Sequence, residues 1–204
     1  MPDPTIIEWV ESALAGDDEA FAELVYTYED AVYNLCYRML NNSVEAQDAA
    51  QEAFLRAYTN LHRYDISRSF KTWVMSIASN YCIDVIRKRR MQLLSLDEPL
   101  PSGDQMAMSD TQPGPELSAL RSEQSEQVQA LLDELKPDYR AAVVLRYWYD
   151  YSYAEIADAL DTTESAIKSR LFRARQMLGE MAEAQREREN TTGLGDSLRG
   201  NSSL

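Results

Sequence analysis

Residues 152–179, SYAEIADALDTTESAIKSRLFRARQMLG, decide the fold. Ser152 and Glu155 form an S-x-x-E capping box, which predicts a helix starting at about Tyr153. Ile156, Ala157 and Leu160 give that short helix one apolar face. Asp161-Thr162-Thr163 reads as a turn, with Thr163 placed to cap a second helix. In the second helix Ile167, Leu171, Ala174 and Leu178 recur at i, i+4, i+7 and i+11, a stripe for burial. Lys168, Ser169, Phe172, Arg173 and Gln176 fall toward another face. A short helix, a tight turn and a second helix with cations on its outer face make a helix-turn-helix, the surface a recognition helix offers to a DNA major groove.

The surrounding chain is acidic, with a formal net charge of −14 over 204 residues. A protein that grips DNA unaided is normally basic. This chain is therefore expected to bind naked DNA weakly, or with a partner's help. Residues 1–62 hold twelve acids and two bases. Two basic islands interrupt the background: residues 63–90 have seven bases against two acids, and residues 166–175 have four bases and no acid. A charge run alone is most simply a solvated helix face. Here each run rides on a helix with apolar periodicity, which argues for a use.

Strand signals are scarce, and long segments repeat at a period near 3.6, so the fold class is all-α. No apolar run approaches the ~20 residues needed to span a bilayer. The start, MPDPTIIEWVESALAGDDEA, lacks the basic and apolar blocks of a signal peptide. A cytoplasmic protein without membrane insertion is expected. Cys36 and Cys82 lie within apolar helical patterns and read as reduced core residues. With His62 as the single histidine they cannot supply a four-ligand zinc site, so neither a metal nor a cofactor is expected. No phosphate-cradling Gly loop or Ser/His/Asp set appears, and no catalytic residues are assigned.

The organisation predicted is two small helical domains joined by a tether. Residues 1–90 form the first: a short helix ended by Gly16, a helix capped at Asp17 or Asp18 and running to about Leu40, a break at Asn41-Asn42-Ser43, a third helix from Val44 to about Leu61, and a fourth from about Phe70 to Arg90. Residues 91–115 are rich in proline, glycine and acid and read as an extended, flexible acidic linker. Residues 116–184 form the second domain, with Pro137 opening a helix. Residues 185–204 are polar and read as a disordered tail.

Three segments, in this order, resemble those of the extracytoplasmic-function (ECF) sigma factors of bacterial RNA polymerase. Asp48-Ala49-Ala50-Gln51-Glu52-Ala53-Phe54-Leu55-Arg56-Ala57-Tyr58 is similar to the family's D-x-x-Q-E-x-F-x-x-A-[WY] helix. The resemblance implies docking on the clamp helices of the polymerase β′ subunit, with Asp48, Gln51, Glu52 and Arg56 on the docking edge. Their i, i+3, i+4, i+8 spacing suits a basic coiled coil, while Ala50, Phe54, Leu55 and Tyr58 read as core. Residues 63–90, RYDISRSFKTWVMSIASNYCIDVIRKRR, resemble the promoter-melting region, whose loop captures a flipped base of the −10 element. Melted strands call for cations, planar side chains and small polar groups. Arg63, Tyr64, Arg68, Lys71, Asn80, Arg87 and Lys88 are the candidates; Phe70 and Trp73 read as core before stacking partners. Residues 135–178 resemble the −35-binding region, opening on Leu135-Lys136-Pro137-Asp138-Tyr139-Arg140, with Lys136 as a departure from the usual pattern. The resemblance places Lys168, Ser169, Phe172 and Arg173 toward the −35 groove and Arg146 at its backbone. Arg170 and Arg175 are left as phosphate or intramolecular partners.

The aromatic run Tyr147, Trp148, Tyr149, Tyr151 and Tyr153 is expected to pack between helices of the second domain, any exposed remainder meeting the polymerase β flap or an inhibitor. The resemblance implies a sigma factor acting in promoter-specific transcription initiation, commonly in stress response. Its partners would be core RNA polymerase, promoter DNA and an anti-sigma factor. A free-standing helix-turn-helix regulator is the alternative. It leaves the segments at 48–58 and 70–90 without a use. A helical adaptor fits the acidity but not the Lys168–Arg175 face.

Overall fold

Each N-terminal helix begins on a side-chain cap. In the computed structural model, which describes residues 3–95 and 115–199, Asp3 accepts the Thr5 amide and starts α1 (Pro4–Leu14), with Pro4 at the first helical position. Gly16, at φ 98°, turns the chain, a backbone state that costs glycine least. Asp17 then accepts the amides of Glu19 and Ala20 and opens α2 (Asp18–Leu40). Asn41 ends α2 in the left-handed region, and Asn42 caps α3 (Ser43–Thr59) through the Glu45 amide. A 3₁₀ turn at Leu61–Arg63 and a loop lead into α4 (Phe70–Ser95).

These helices close on one core. Leu24, Val32, Leu35, Cys36 and Met39 of α2 meet Val74, Met75, Ala78 and Cys82 of α4, all fully buried. The inward face of α3 is made of Ala46, Ala49, Ala50, Ala53 and Ala57, joined by Phe54. Small residues let α3 lie close against its neighbours. They also take the core positions expected for Leu55 and Tyr58, which are exposed instead. Cys36 and Cys82 are buried free thiols.

The C-terminal bundle comprises α5 (Pro115–Glu134), α6 (Pro137–Trp148), α7 (Tyr153–Ala159) and α8 (Glu164–Arg199). Its core is Leu132, Leu135, Val144, Leu145, Ile156, Ile167, Leu171 and Ala174. The capping box at Ser152 is complete: its hydroxyl accepts the Glu155 amide at 3.2 Å, and its own amide donates to the Glu155 carboxylate at 2.8 Å. These bonds hold the Glu155 carboxyl below its ordinary range. A depressed folded pKa gives stability that is complete above the unfolded pKa and lost as pH falls through the lower, folded one. Ser152→Ala is expected to cost about 1 kcal/mol at neutral pH and to flatten the acid limb of the stability curve. Urea unfolding at neutral and acid pH checks both.

One expectation is corrected. The fourth helix continues past Arg90 to Ser95, since Met91-Gln92-Leu93-Leu94 are strong helix formers with no Gly or Pro among them. Helix α8 extends through Arg199. The Glu/Gln/Arg composition at 183–189 favours helix. The acidic tether at 96–114 lies outside the described residues, as do 1–2 and 200–204. The two bundles pack on each other, α4 against α6 and α7, α2 against α5 and α6.

Candidate nucleic-acid and partner interfaces

The recognition helix is held from beneath. Thr163 caps α8 through the Ala166 amide, and Ile167, Leu171 and Ala174 seat it on the bundle. Lys168, Ser169, Phe172 and Arg173 all point outward, the Phe172 ring being 59 % exposed. Ser169 donates to the Ser165 carbonyl, leaving its oxygen free to accept. Arg173 makes one long contact, 3.4 Å, to the Tyr139 hydroxyl. Arg170 turns inward, 3.9 Å from Asp138. Arg146 is tied to its own loop: its Nη1 donates to the Tyr151 carbonyl at 2.8 Å, and the guanidinium sits 5.8 Å from the Tyr153 ring.

The loop before α4 is prefolded. Ser67 donates both its amide and hydroxyl to Asp65, which lowers the Asp65 pKa. Tyr64 is half-buried, its ring 5.0 Å from Trp73 and 5.5 Å from Phe70, and its hydroxyl donates to the Arg68 carbonyl. Burial pushes that phenol up to about 12, so it stays a donor at neutral pH. Tyr64 therefore belongs to an aromatic cluster that shapes the loop. Arg63 and Lys88 are exposed.

The other four residues of this face meet the C-terminal bundle. Arg68 Nη1 lies 2.6 and 2.8 Å from the two Asp158 oxygens. Lys71 Nζ lies 5.7 Å from the Tyr149 ring. Asn80 donates to the Ala159 carbonyl at 3.1 Å, and Arg87 to Asp138 at 2.9 Å. Trp148 and Tyr149 serve the same interface, which corrects their expected place within the second domain, while Tyr153 packs by Arg146 inside that domain as expected. Trp148 stacks under Arg38 at 4.3 Å, and the Tyr149 hydroxyl donates to the Ala31 carbonyl at 2.7 Å. Tyr147 is exposed.

Along α3, Asp48 and Gln51 are exposed. Glu52 pairs with Arg56 at 2.7 Å, and the Arg56 guanidinium lies 4.7 Å from the Tyr81 ring. A groove of about 570 Å³ runs beside this edge between α2 and α3, lined by Val25, Glu29, Asp30, Tyr33, Ala50, Gln51 and Phe54. Glu29, Asp30 and Tyr33 escaped the sequence reading. Their signal was present in the acid excess of residues 1–62, but the pairing of α2 with α3 was needed to aim it. The arrangement suits an elongated basic partner. Among the described residues there is no cluster able to hold a metal and no helix long and apolar enough to cross a membrane.

Comparison with known proteins agrees with these two bundles. The family described as Sigma-70 region 2 matches residues 24–91, and Sigma-70, region 4 matches residues 125–178. The chain is 38 % identical over 173 residues to the ECF RNA polymerase sigma factor SigW of Bacillus subtilis, covering 83 % of this chain and 92 % of that protein. It is 34 % identical over 174 residues to the RNA polymerase sigma-H factor of Pseudomonas aeruginosa, covering 83 % and 89 %. In fold it is similar to the sigma factor RpoE of Bartonella quintana, solved with the anti-sigma factor NepR, at a TM-score of 0.63, 22 % identity and coverage of 80 % of this chain and 96 % of that one. With both regions matched in order and SigW aligned over nearly its whole length, the chain belongs to the ECF sigma factors of the sigma-70 family.

Proposed function

We propose that the outer face of α8 reads the −35 duplex through Lys168, Ser169, Phe172 and Arg173, with Arg146 positioning the loop behind it. The exposed cationic face on a firmly seated helix carries this reading. As an ECF sigma factor the protein is not an enzyme, and it acts with RNA polymerase in promoter-directed initiation and not as a free-standing regulator. Residues 63–90 bind and hold the melted −10 strand, with Arg63, Arg68, Lys71, Asn80, Arg87 and Lys88 for phosphates and base edges. Tyr64 supports them by shaping the loop. The α3 edge at Asp48, Gln51, Glu52 and Arg56, widened by the α2/α3 groove, docks on the β′ clamp helices. The C-terminal bundle meets the β flap. Family membership supports an anti-sigma factor as a further partner and the cytoplasm as the place of action.

The test is reconstitution. Core RNA polymerase with this chain is expected to initiate at a cognate promoter, while either component alone does not. Asp48→Ala with Gln51→Ala is expected to weaken core binding about fivefold, each exposed polar contact being worth up to ~1 kcal/mol. A footprint on promoter DNA by the chain alone, without any affinity for core, would sink the reading.

A further inference from the structure

We propose that Glu164 is a base-reading residue of the −35 face, accepting the N4 amino group of a cytosine in the major groove. The inference rests on the assignment of the outer face of α8 to the −35 duplex. Glu164 opens the helix, and no other acid stands on α8 before Glu180. With Ser165, Lys168, Ser169 and Phe172 it forms one continuous exposed strip at helical spacing. Its carboxylate is unengaged. Among the described residues neither an ion pair nor a hydrogen bond holds it, although Lys168 stands one turn on, in the order that favours a pair.

An acid among phosphates is repelled, so a DNA-binding face tolerates one only where bases and not phosphates are near. A recognition helix meets that condition at its start, whose side chains reach the base edges. There a carboxylate accepts and cannot donate. Of the groups that base pairs offer in the major groove it suits the amino donors, the cytosine N4 above all. Adenine sets its N6 donor beside the N7 acceptor, whose lone pair a carboxylate repels. The helix start also steadies the charge, because α8 is capped at Thr163 and turns the positive end of its dipole toward Glu164. From Glu164 to Arg173 the helix advances about 13 Å. That is the length of roughly four base pairs, so the two residues meet different pairs.

Holoenzyme reconstituted from core polymerase and the full chain is tested on promoters carrying every single-base change of the −35 element, with transcript yield as the readout. The parent is expected to prefer a C·G pair at one position by about fivefold, the low end of base discrimination, because a single acceptor contact is made. E164A is expected to flatten that preference to below about twofold and leave the other positions as they are. E164Q is expected to move it toward adenine, since an amide both donates to N7 and accepts from N6. E180Q removes the same charge from an exposed position about 24 Å further along α8 and is expected to keep the parent's preferences. Unchanged preferences in both Glu164 variants overturn the inference, as does a change confined to a position where the parent does not favour cytosine. An even loss across all −35 sequences with a lower urea midpoint also overturns it, being the result of an acid that serves only the helix dipole. A parent indifferent to every −35 change overturns the −35 assignment itself, and the inference with it.

Discussion

Replacing Arg140 by Met is expected to lower the unfolding free energy by about 3 kcal/mol, among the largest effects of any polar substitution in this chain. The Arg140 side chain is only 6 % exposed. Its Nη1 donates to the Met39 carbonyl at 2.6 Å and lies 2.8 Å from an Asp133 carboxylate oxygen, while Nη2 donates to the Asp133 carbonyl at 2.7 Å. Met39 stands in the last turn of α2, whose final carbonyls have no partner inside the helix. Gln129 serves the neighbouring Arg38 carbonyl at 3.0 Å. Donors of the C-terminal bundle thus finish a helix of the N-terminal one. Burial pulls the Arg140 pKa down and the nearby Asp133 opposes that, so the guanidinium remains charged. Methionine keeps the apolar stem and removes every donor, leaving two carbonyls and one Asp133 carboxylate oxygen to find water, while Asn41 still donates to the other. The low end of the range applies because Asp133 keeps 34 % of its side chain exposed. Arg140→Lys is expected to recover part of the loss, since one ammonium cannot reproduce the planar fork. Urea unfolding of the full chain, followed by circular dichroism, measures both. A loss below about 1 kcal/mol would mean that water replaces the guanidinium at little cost.

The sequence spoke most clearly where the physics is local. Asp17, the Asn41–Asn42 break, the Ser152 capping box and the Thr163 cap act within three residues of themselves, and each stands where its residue type predicts. The stripe of α8 reads correctly because Ile167, Leu171 and Ala174 are spaced for one face. Bulk misled the reading of α3. Leu55 and Tyr58 look like core, yet α3 is seated by alanines, and apolar size is a poor guide where backbones approach closely. What stayed hidden depends on which helix lies beside which. Arg68 and Asp158 are ninety positions apart, and nothing in either neighbourhood signals the other. Trp148 and Tyr149 announced themselves as apolar surface to be covered, but not that the cover is α2. The same holds for Arg140, legible as part of a motif and not as the cap of a distant helix.

Arg173→Ala is expected to cost about 1–3 kcal/mol of discrimination at the −35 element, roughly fivefold to 150-fold in initiation at the preferred promoter over variants altered at one base. The geometry favours a reading role over a structural one. Arg173 is exposed, and its 3.4 Å contact to the Tyr139 hydroxyl is too long to hold it against a better acceptor. Beneath it Leu171 and Ala174 fix the helix, so the guanidinium is presented from a rigid base. Arg170, three residues earlier on α8, faces Asp138 with its side chain only 24 % exposed, and its loss is expected to disturb packing before recognition. Lys168→Ala separates charge from reading. A lysine on phosphate should weaken binding uniformly across promoters and reduce the salt slope by about one. Arg173→Ala should instead change which −35 sequence is preferred, because a bidentate contact to a base edge is lost together with the penalty for a wrong base. Competition between promoter variants, with holoenzyme reconstituted from each chain, distinguishes the two. A uniform loss for Arg173→Ala would assign it to the backbone and leave Phe172, whose exposed ring can meet a thymine methyl, as the base-reading side chain of this face.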